Sequence, residues 1–229
     1  MYVPGSNAMA DADLDEFLAR RAAGHLVTVG PDGIPDATLL PVLLDGVRDG
    51  APARVLGHLA RANPHWTRIA PGSPALLVLS GADAYVSPSW YASKATHGRV
   101  VPTWNYTEVH VRGAVTVHDD PDWVRGVVTR LTERHEDHRE RPWAVTDAPD
   151  AYVSGQLRGI VGIEVLVESV EGKAKLSQNR SDADRDGVVE GLRAETDPSS
   201  HEVADEMERL SSSRSHPRAT EEAQAATRR

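Results

Sequence analysis

The chain has no cysteine and a single phenylalanine among its 229 residues. The missing thiols exclude a disulfide framework, a thiolate metal site and a cysteine nucleophile, and they suit a reducing, cytoplasmic setting. Long apolar runs are also missing. Ala75 to Leu79 is among the longest, far short of what a bilayer requires, so no membrane association is expected. The N-terminus reaches acidic residues by Asp11 without a basic stretch and an apolar core before them, so no signal peptide is expected. Positive charge is in deficit: 25 Lys and Arg stand against 34 Asp and Glu, a net charge of −9. That balance argues against broad binding to nucleic acid and predicts weak direct DNA binding. No Walker A sequence, no Gly-x-Gly-x-x-Gly after a first strand, no His-Glu-x-x-His and no Gly-x-Ser-x-Gly elbow occurs, and no helix-turn-helix pattern stands out in the first hundred residues.

What is present is concentrated. Tyr85, Trp90, Tyr91, Trp104 and Tyr106 are half of the chain's five Trp and five Tyr, and they fall within 22 positions. Pro88, Pro102, Lys94, Asn105 and several hydroxyls lie among them. A pocket for a flat, polar, phosphorylated ligand uses all of these groups, and so does a turn-rich corner whose aromatics fill a small core.

The periodicities predict the elements around that stretch. Asp11 to Ala22 reads as an amphipathic helix capped by Asp11 or Asp13 and stopped at Gly24. Strands follow at His25–Val29 and Ile34–Leu44, joined by the turn Gly30-Pro31-Asp32-Gly33. Residues 45–53 read as a polar loop, Arg54–Leu59 as a third strand and Pro74–Ser80 as a fourth. Asn63 with Pro64 predicts a capped short helix. Val109, Val111, Gly113, Val115 and Val117 alternate with polar neighbours, the period of a half-buried strand. Asp120 with Pro121 opens a helix whose apolar side is Trp123, Val124, Val127, Val128 and Leu131. Glu133 to Arg141 is its solvated end rather than a metal site. After a loop, Ala151–Leu157 reads as one or two helical turns and Ile160–Val170 as a strand turning at Glu171-Gly172. Short helices are expected at Ser181–Leu192 and His201–Leu210, and a disordered tail at 211–229. Antiparallel strands with helices to the side predict an α+β fold built on a small barrel.

Two further segments carry chemistry. His58 to Pro64 places a cation, Arg61, where a strand gives way to a helix start, an arrangement that suits a phosphate as well as an ordinary surface cap. Lys173, Lys175 and Arg180 flank Ser177-Gln178-Asn179, a cationic cluster with amides that equally describes a solvated hairpin.

Together these stretches closely resemble the PaiB-like family, often labelled FMN-binding negative transcriptional regulator. The similarity is carried by His58 to Pro64, Tyr85 to Lys94, His97 to Tyr106 with Val109-His110-Val111, and Lys175 to Asn179. It extends over about residues 1–195, which sets an expected division into a 1–195 domain and a 196–229 appendage. The resemblance implies a split β-barrel of the flavin-reductase and pyridoxamine-phosphate-oxidase type, with flanking helices. It also implies a homodimer with the ligand pocket at the interface, and FMN as cofactor. Arg61 and Lys94 then become candidates for the FMN phosphate, and Trp90, Tyr91 and Trp104 for the ring pocket. His58, Asn63, Ser89, Asn105, His110, Lys175 and Gln178 become polar or interface partners. The function implied is a flavin-dependent regulator or sensor, with a flavin-dependent oxidoreductase as alternative. Some relatives resemble haem-dependent piperazate synthases, for which haem b replaces FMN and His58 or His110 is the axial ligand. The sequence departs from the family pattern at Leu39, Ala82 and Asp83, where the family commonly has His, Pro and His.

Overall fold

The computed structural model describes residues 1–48 and 51–215. The elements in order are α1 (Asp11–Arg20), β1 (Ala23–Val29), β2 (Pro35–Arg48), β3 (Ala51–Ala60), β4 (Ser73–Val86), α2 (Ser93–His97), β5 (Thr103–His118), α3 (Pro121–Glu136), α4 (Asp150–Leu157), β6 (Ile160–Lys175), α5 (Asp182–Ala194) and α6 (Pro198–Ser215). Short 3-10 turns lie at Gly5–Asn7, Pro64–Arg68, Pro88–Trp90 and Val145–Asp147. The six strands close into a barrel in the order β1-β2-β3-β6-β5-β4. β1 pairs antiparallel with β2 and β4, and β3 antiparallel with β2 and β6. This is the expected α+β barrel with flanking helices. No helix among the described residues is long and apolar enough to cross a membrane.

The chain forms two compact units. Of the described residues, the first comprises Met1, 9–48, 51–80 and 108–172; the second comprises 2–8, 81–107 and 173–215. The chain passes between them inside β4, β5 and β6.

The first unit holds the barrel core. β5 shows why: Val109, Val111 and Val115 are fully buried while the alternate residues are half-exposed. They meet Leu26, Leu77, Leu79, Val161, Ile163 and Val165, with Phe17 and Leu18 of α1 completing the cluster. Burying each such side chain contributes about 1.5–3 kcal/mol. Gly113 interrupts the valines because a Cβ there would collide with the Leu166 carbonyl. Outside the barrel, Val127 and Leu131 of α3 cover Leu43 and Leu56.

Several boundaries differ from expectation. α1 has Ala10 rather than an aspartate at its N-cap, and it ends at Arg20. The carbonyls of Ala19 and Arg21 are taken by Arg134. Gly24 lies inside β1, where a Cβ would press on Leu79 and the Val78 carbonyl. Residues 45–48 and 51–53 belong to β2 and β3, because cross-strand pairing from Asp45↔Arg54 to Arg48↔Ala51 outweighs their polar composition. β4 runs on to Val86 and β6 to Lys175, past the expected ends. Asn63 and Asp120 cap as expected, accepting from the backbone N–H of His65 and Asp122. Ser211–Ser215 are helical rather than tail; residues 216–229 lie outside the described residues.

The second unit packs α5 against α6 and against the Pro88–Trp90 turn. Val188, Leu192, Val203, Ala204 and Met207 are buried in it. Gly187 and Gly191 of α5 make room for Trp90: a Cβ at Gly187 would strike the Trp90 carbonyl, and one at Gly191 its indole.

Candidate functional site

A cavity of about 230 Å³ lies within the second unit. Its floor is Thr103 and Asn105 of β5 beside Lys175 at the end of β6. Ser177, Asn179 and Arg180, from the turn that leads into α5, form one wall, and Tyr91 another. Pro4, Ser6 and Asn7, around the first 3-10 turn, complete it.

The turn is shaped by its own side chains. Gln178 folds back, its Oε1 accepting from the Leu176 N–H at 2.7 Å and its amide donating to the Ala174 carbonyl. Ser177 is thereby held at φ 62°, the only positive φ of a non-glycine among the described residues. That left-handed conformation is strained for a residue with a Cβ. It turns the Ser177 hydroxyl onto Asn105, which is 1% exposed and also directs its amide at the Met207 sulfur.

The cavity is cationic and carries no acidic side chain in its lining. Lys175 Nζ donates to the Thr103 hydroxyl and the Trp104 carbonyl, both neutral. Burial, and secondarily the Lys173 charge, hold the Lys175 amine below the usual lysine range. Arg180 lies over the Tyr91 ring, 4.6 Å from its centroid, a cation–π contact. Tyr91 is 2% exposed, yet its hydroxyl oxygen has no hydrogen-bond partner. Leaving such a group unpaired costs about 1–3 kcal/mol. On α5, Asp184 fastens this wall by accepting from the N–H and hydroxyl of Ser93 at 2.8 and 2.9 Å.

Of the residues expected from sequence, Tyr91, Asn105 and Lys175 meet in this cavity. Pro4, Ser6, Asn7, Thr103, Ser177, Asn179 and Arg180 line it without having been singled out as cofactor contacts. The only signals in the sequence were the Lys175–Arg180 cluster and the N-terminal resemblance. Four more expected residues belong to the same unit with other engagements, and Gln178 braces the turn. Lys94 is exposed and donates to the Ser89 hydroxyl at 3.3 Å. Trp90 sits against α5. Trp104 donates its indole N–H to Asp83 Oδ1 at 3.0 Å and meets the edge of Tyr85.

The departures from the family pattern sit quietly. Asp83 has its indole partner, and its backbone N–H and carbonyl are bracketed by Ser199. Ala82 is buried, and Leu39 is 60% exposed.

His58, Arg61, Asn63 and His110 belong to the first unit. Arg61 makes a two-pronged pair with Asp119 and donates to the carbonyls of Arg158 and Ile160. Its guanidinium is thus already engaged. The roughly 340 Å³ cavity beside it is walled by the carboxylates of Asp119 and Asp120, a poor match for phosphate. Asn63 splits its amide between the His65 N–H and Thr38. His58 has a buried Nδ1 with no partner, and burial lowers its pKa, which keeps the imidazole neutral. His110 pairs Nε2 with Glu108 at 2.8 Å, while its Nδ1 is buried and unpartnered. No cluster of three or more potential metal ligands occurs among the described residues.

Comparison with known proteins places this geometry in a family. The structure resembles a conserved hypothetical protein of Mycobacterium tuberculosis with a TM-score of 0.52 at 16% identity, covering 78% of this chain and 92% of that one. It also resembles the FAD and heme binding protein of Mycobacterium smegmatis, with a TM-score of 0.51 at 17% identity over 78% of each. At these identities the likeness concerns the fold, a split barrel with flanking helices. In sequence, the chain is 32% identical to the protease synthase and sporulation protein PAI 2 of Bacillus subtilis over 209 residues, 91% of this chain and 97% of that protein. Residues 1–169 match the family model described as "Putative FMN-binding domain". The chain therefore belongs to the PaiB-like FMN-binding domain family.

Proposed function

We propose that this protein binds FMN and acts as a flavin-responsive regulator, with the phosphate end of the cofactor in the cavity of the second unit. The observation that carries the reading is Arg180, which stacks on Tyr91, makes no ion pair among the described residues and lines a cavity without an acidic side chain, in a chain of this family. Phosphate oxygens accept from its N–H groups, and charge-assisted bonds to a guanidinium are the strong ones. A Lys175 ammonium, with one N–H beyond its two existing bonds, offers a further donor to the ribityl chain. FMN supplies two-electron redox chemistry when bound; the residues here bind and orient it. A flavin-dependent oxidoreductase is the alternative built on the same site.

A second copy of the chain completes the site in this reading. Val29, Leu39 and Leu166 on strands of the first unit, and Ile34 in the turn between β1 and β2, are each more than half exposed, and apolar groups of this size suit burial in a homodimer. The cytoplasm suits a chain without cysteine. A net charge of −9 keeps direct DNA contact weak, so regulation runs through a partner or a small molecule.

One observation favours haem as a second reading. His58 offers a neutral, buried, unpartnered imidazole nitrogen, the state an axial ligand requires.

Absorbance spectra of the purified protein with added FMN or haemin test both. Uptake of FMN with flavin bands and slow NAD(P)H oxidation supports the regulator; rapid, saturable oxidation supports the oxidoreductase. A Soret band that is lost in His58→Ala supports haem. A colourless protein that takes up neither ligand overturns both.

A further inference from the structure

The chain contains three lysines: Lys94, Lys173 and Lys175. Lys94 is exposed and Lys173 lies over the Tyr106 ring at 5.2 Å. Lys175 alone lines the cavity of the second unit. Its two hydrogen-bond partners are a hydroxyl and a carbonyl, and the cavity lining offers its positive charge no carboxylate. A neutral amine has two N–H bonds. Those two acceptors satisfy them and leave the nitrogen lone pair for an electrophile. One neighbour in the same lining completes a reaction site: Arg180 can hold an anion.

We propose that Lys175 is a nucleophilic amine that condenses with a small aldehyde or 2-oxo acid whose carboxylate or phosphate rests on Arg180. The Lys175 lone pair forms the C–N bond as the carbonyl π pair moves to oxygen. A proton passes from nitrogen to that oxygen, giving a carbinolamine. The C–O bond then breaks and the hydroxyl leaves as water. Solvent water lends it a proton and takes one from the nitrogen. Amine and carbonyl go to imine and water, and no oxidant or reductant is consumed. Burial and the nearby Lys173 favour the free amine this step needs, the usual way a lysine is activated. A cavity of about 230 Å³ admits a compound of a few carbons with its anionic group. The inference does not rest on the flavin reading. The two ligands share Arg180, so FMN, if bound, shields Lys175.

Reductive trapping tests it. The full-length protein is incubated near pH 7 with sodium cyanoborohydride and glyoxylate, glycolaldehyde phosphate or uncharged acetaldehyde, and adducts at the three lysines are quantified by peptide mass mapping. Glyoxylate, glycolaldehyde phosphate or both should modify Lys175 at least about tenfold faster than Lys94, the more reactive of the two revealing whether carboxylate or phosphate fits. Arg180→Gln should cut the anionic reagents' rate at Lys175 by about tenfold and spare acetaldehyde. Lys175→Arg should remove the adduct. Matched thermal melts check that the variants fold. Should Arg180→Gln not fold, inorganic phosphate must protect Lys175, and not Lys94, in the unmodified protein. Equal rates at all three lysines, or no effect of either Arg180→Gln or phosphate, overturns the proposal. Added FMN separates the two readings: trapping at Lys175 that proceeds unshielded in a protein that takes up no FMN removes the flavin reading alone.

Discussion

The Arg180 guanidinium rests on the Tyr91 ring, 4.6 Å from its centroid, and makes no ion pair among the described residues. Asp184 of the following helix, whose carboxyl feels the Arg180 charge, spends both carboxylate oxygens on Ser93. A stacked cation is held in place by the ring yet keeps its N–H groups for a ligand.

Removing that cation separates phosphate recognition from ring recognition. In Arg180→Gln the affinity for FMN should fall about 10–100-fold, the worth of a charged hydrogen bond at about 1.5–3 kcal/mol. Riboflavin, which lacks the phosphate, should bind both proteins alike. Fluorescence titration with the two flavins reads the difference.

Tyr91→Phe should separate the hydroxyl from the ring. The protein loses a buried hydroxyl that has no partner among the described residues, so its urea midpoint should hold or rise. FMN affinity should hold, because the ring that carries Arg180 remains. A hydroxyl already satisfied within the protein would lower the midpoint.

The glycines of α5 are there for Trp90. Gly191→Ala places a methyl group into the indole and should destabilise the protein by about 1–3 kcal/mol in urea unfolding. Gly126 of α3 has open space at its Cβ position, so Gly126→Ala should stabilise by up to about 1 kcal/mol. Opposite signs for one substitution type on two helices distinguish packing from helix propensity.

His65 predicts the response to mild acid. It is 3% exposed, and its ring nitrogens lie 2.9 Å from the hydroxyls of Thr28 and Thr38. Burial pushes its pKa down from 6.5; Asp36 opposes this and Arg68 adds to it. The unfolded chain therefore binds the proton first. Stability should be full above about pH 6.5 and fall below it, and His65→Gln should reduce that slope, His58 supplying the remainder. Urea midpoints between pH 5 and 8 measure it.

Asp184 governs stronger acid. The Ser93 N–H holds its carboxyl below 3.8, with the Ser93 and Ser181 hydroxyls and the Arg180 charge acting the same way. Its contribution is present above that value and lost as pH falls through the lower, folded one. Asp184→Asn should therefore soften the acid limb of the stability curve below pH 4 while leaving the slope near pH 6 unchanged.

Much of the barrel was legible in the chain because its cause is local. The alternation from Val109 to Val117 marks β5, and Asp120-Pro121 and Asn63-Pro64 mark their helix starts through backbone N–H groups one or two residues away. The strand ends were not legible. Residues 45–48, 81–86 and 171–175 are polar or mixed, and they are strands because pairing across the sheet supplies hydrogen bonds that local composition does not foretell.

The site divides the same way. Residue types alone gave the aromatic stretch, the Lys175–Arg180 cluster and, through resemblance, the family. They could not tell Arg61 from Arg180. Both are arginines beside a helix start, and what separates them is a partner 58 positions away: Asp119 engages Arg61 in an ion pair, whereas Arg180 stacks on Tyr91 and makes no ion pair among the described residues. Nor could they show that Lys175 ends among neutral oxygens. The sequence by itself determined which elements form and which family they make. The tertiary structure decided which charges are already satisfied, because electrostatic pairing depends on distance in space and not along the chain.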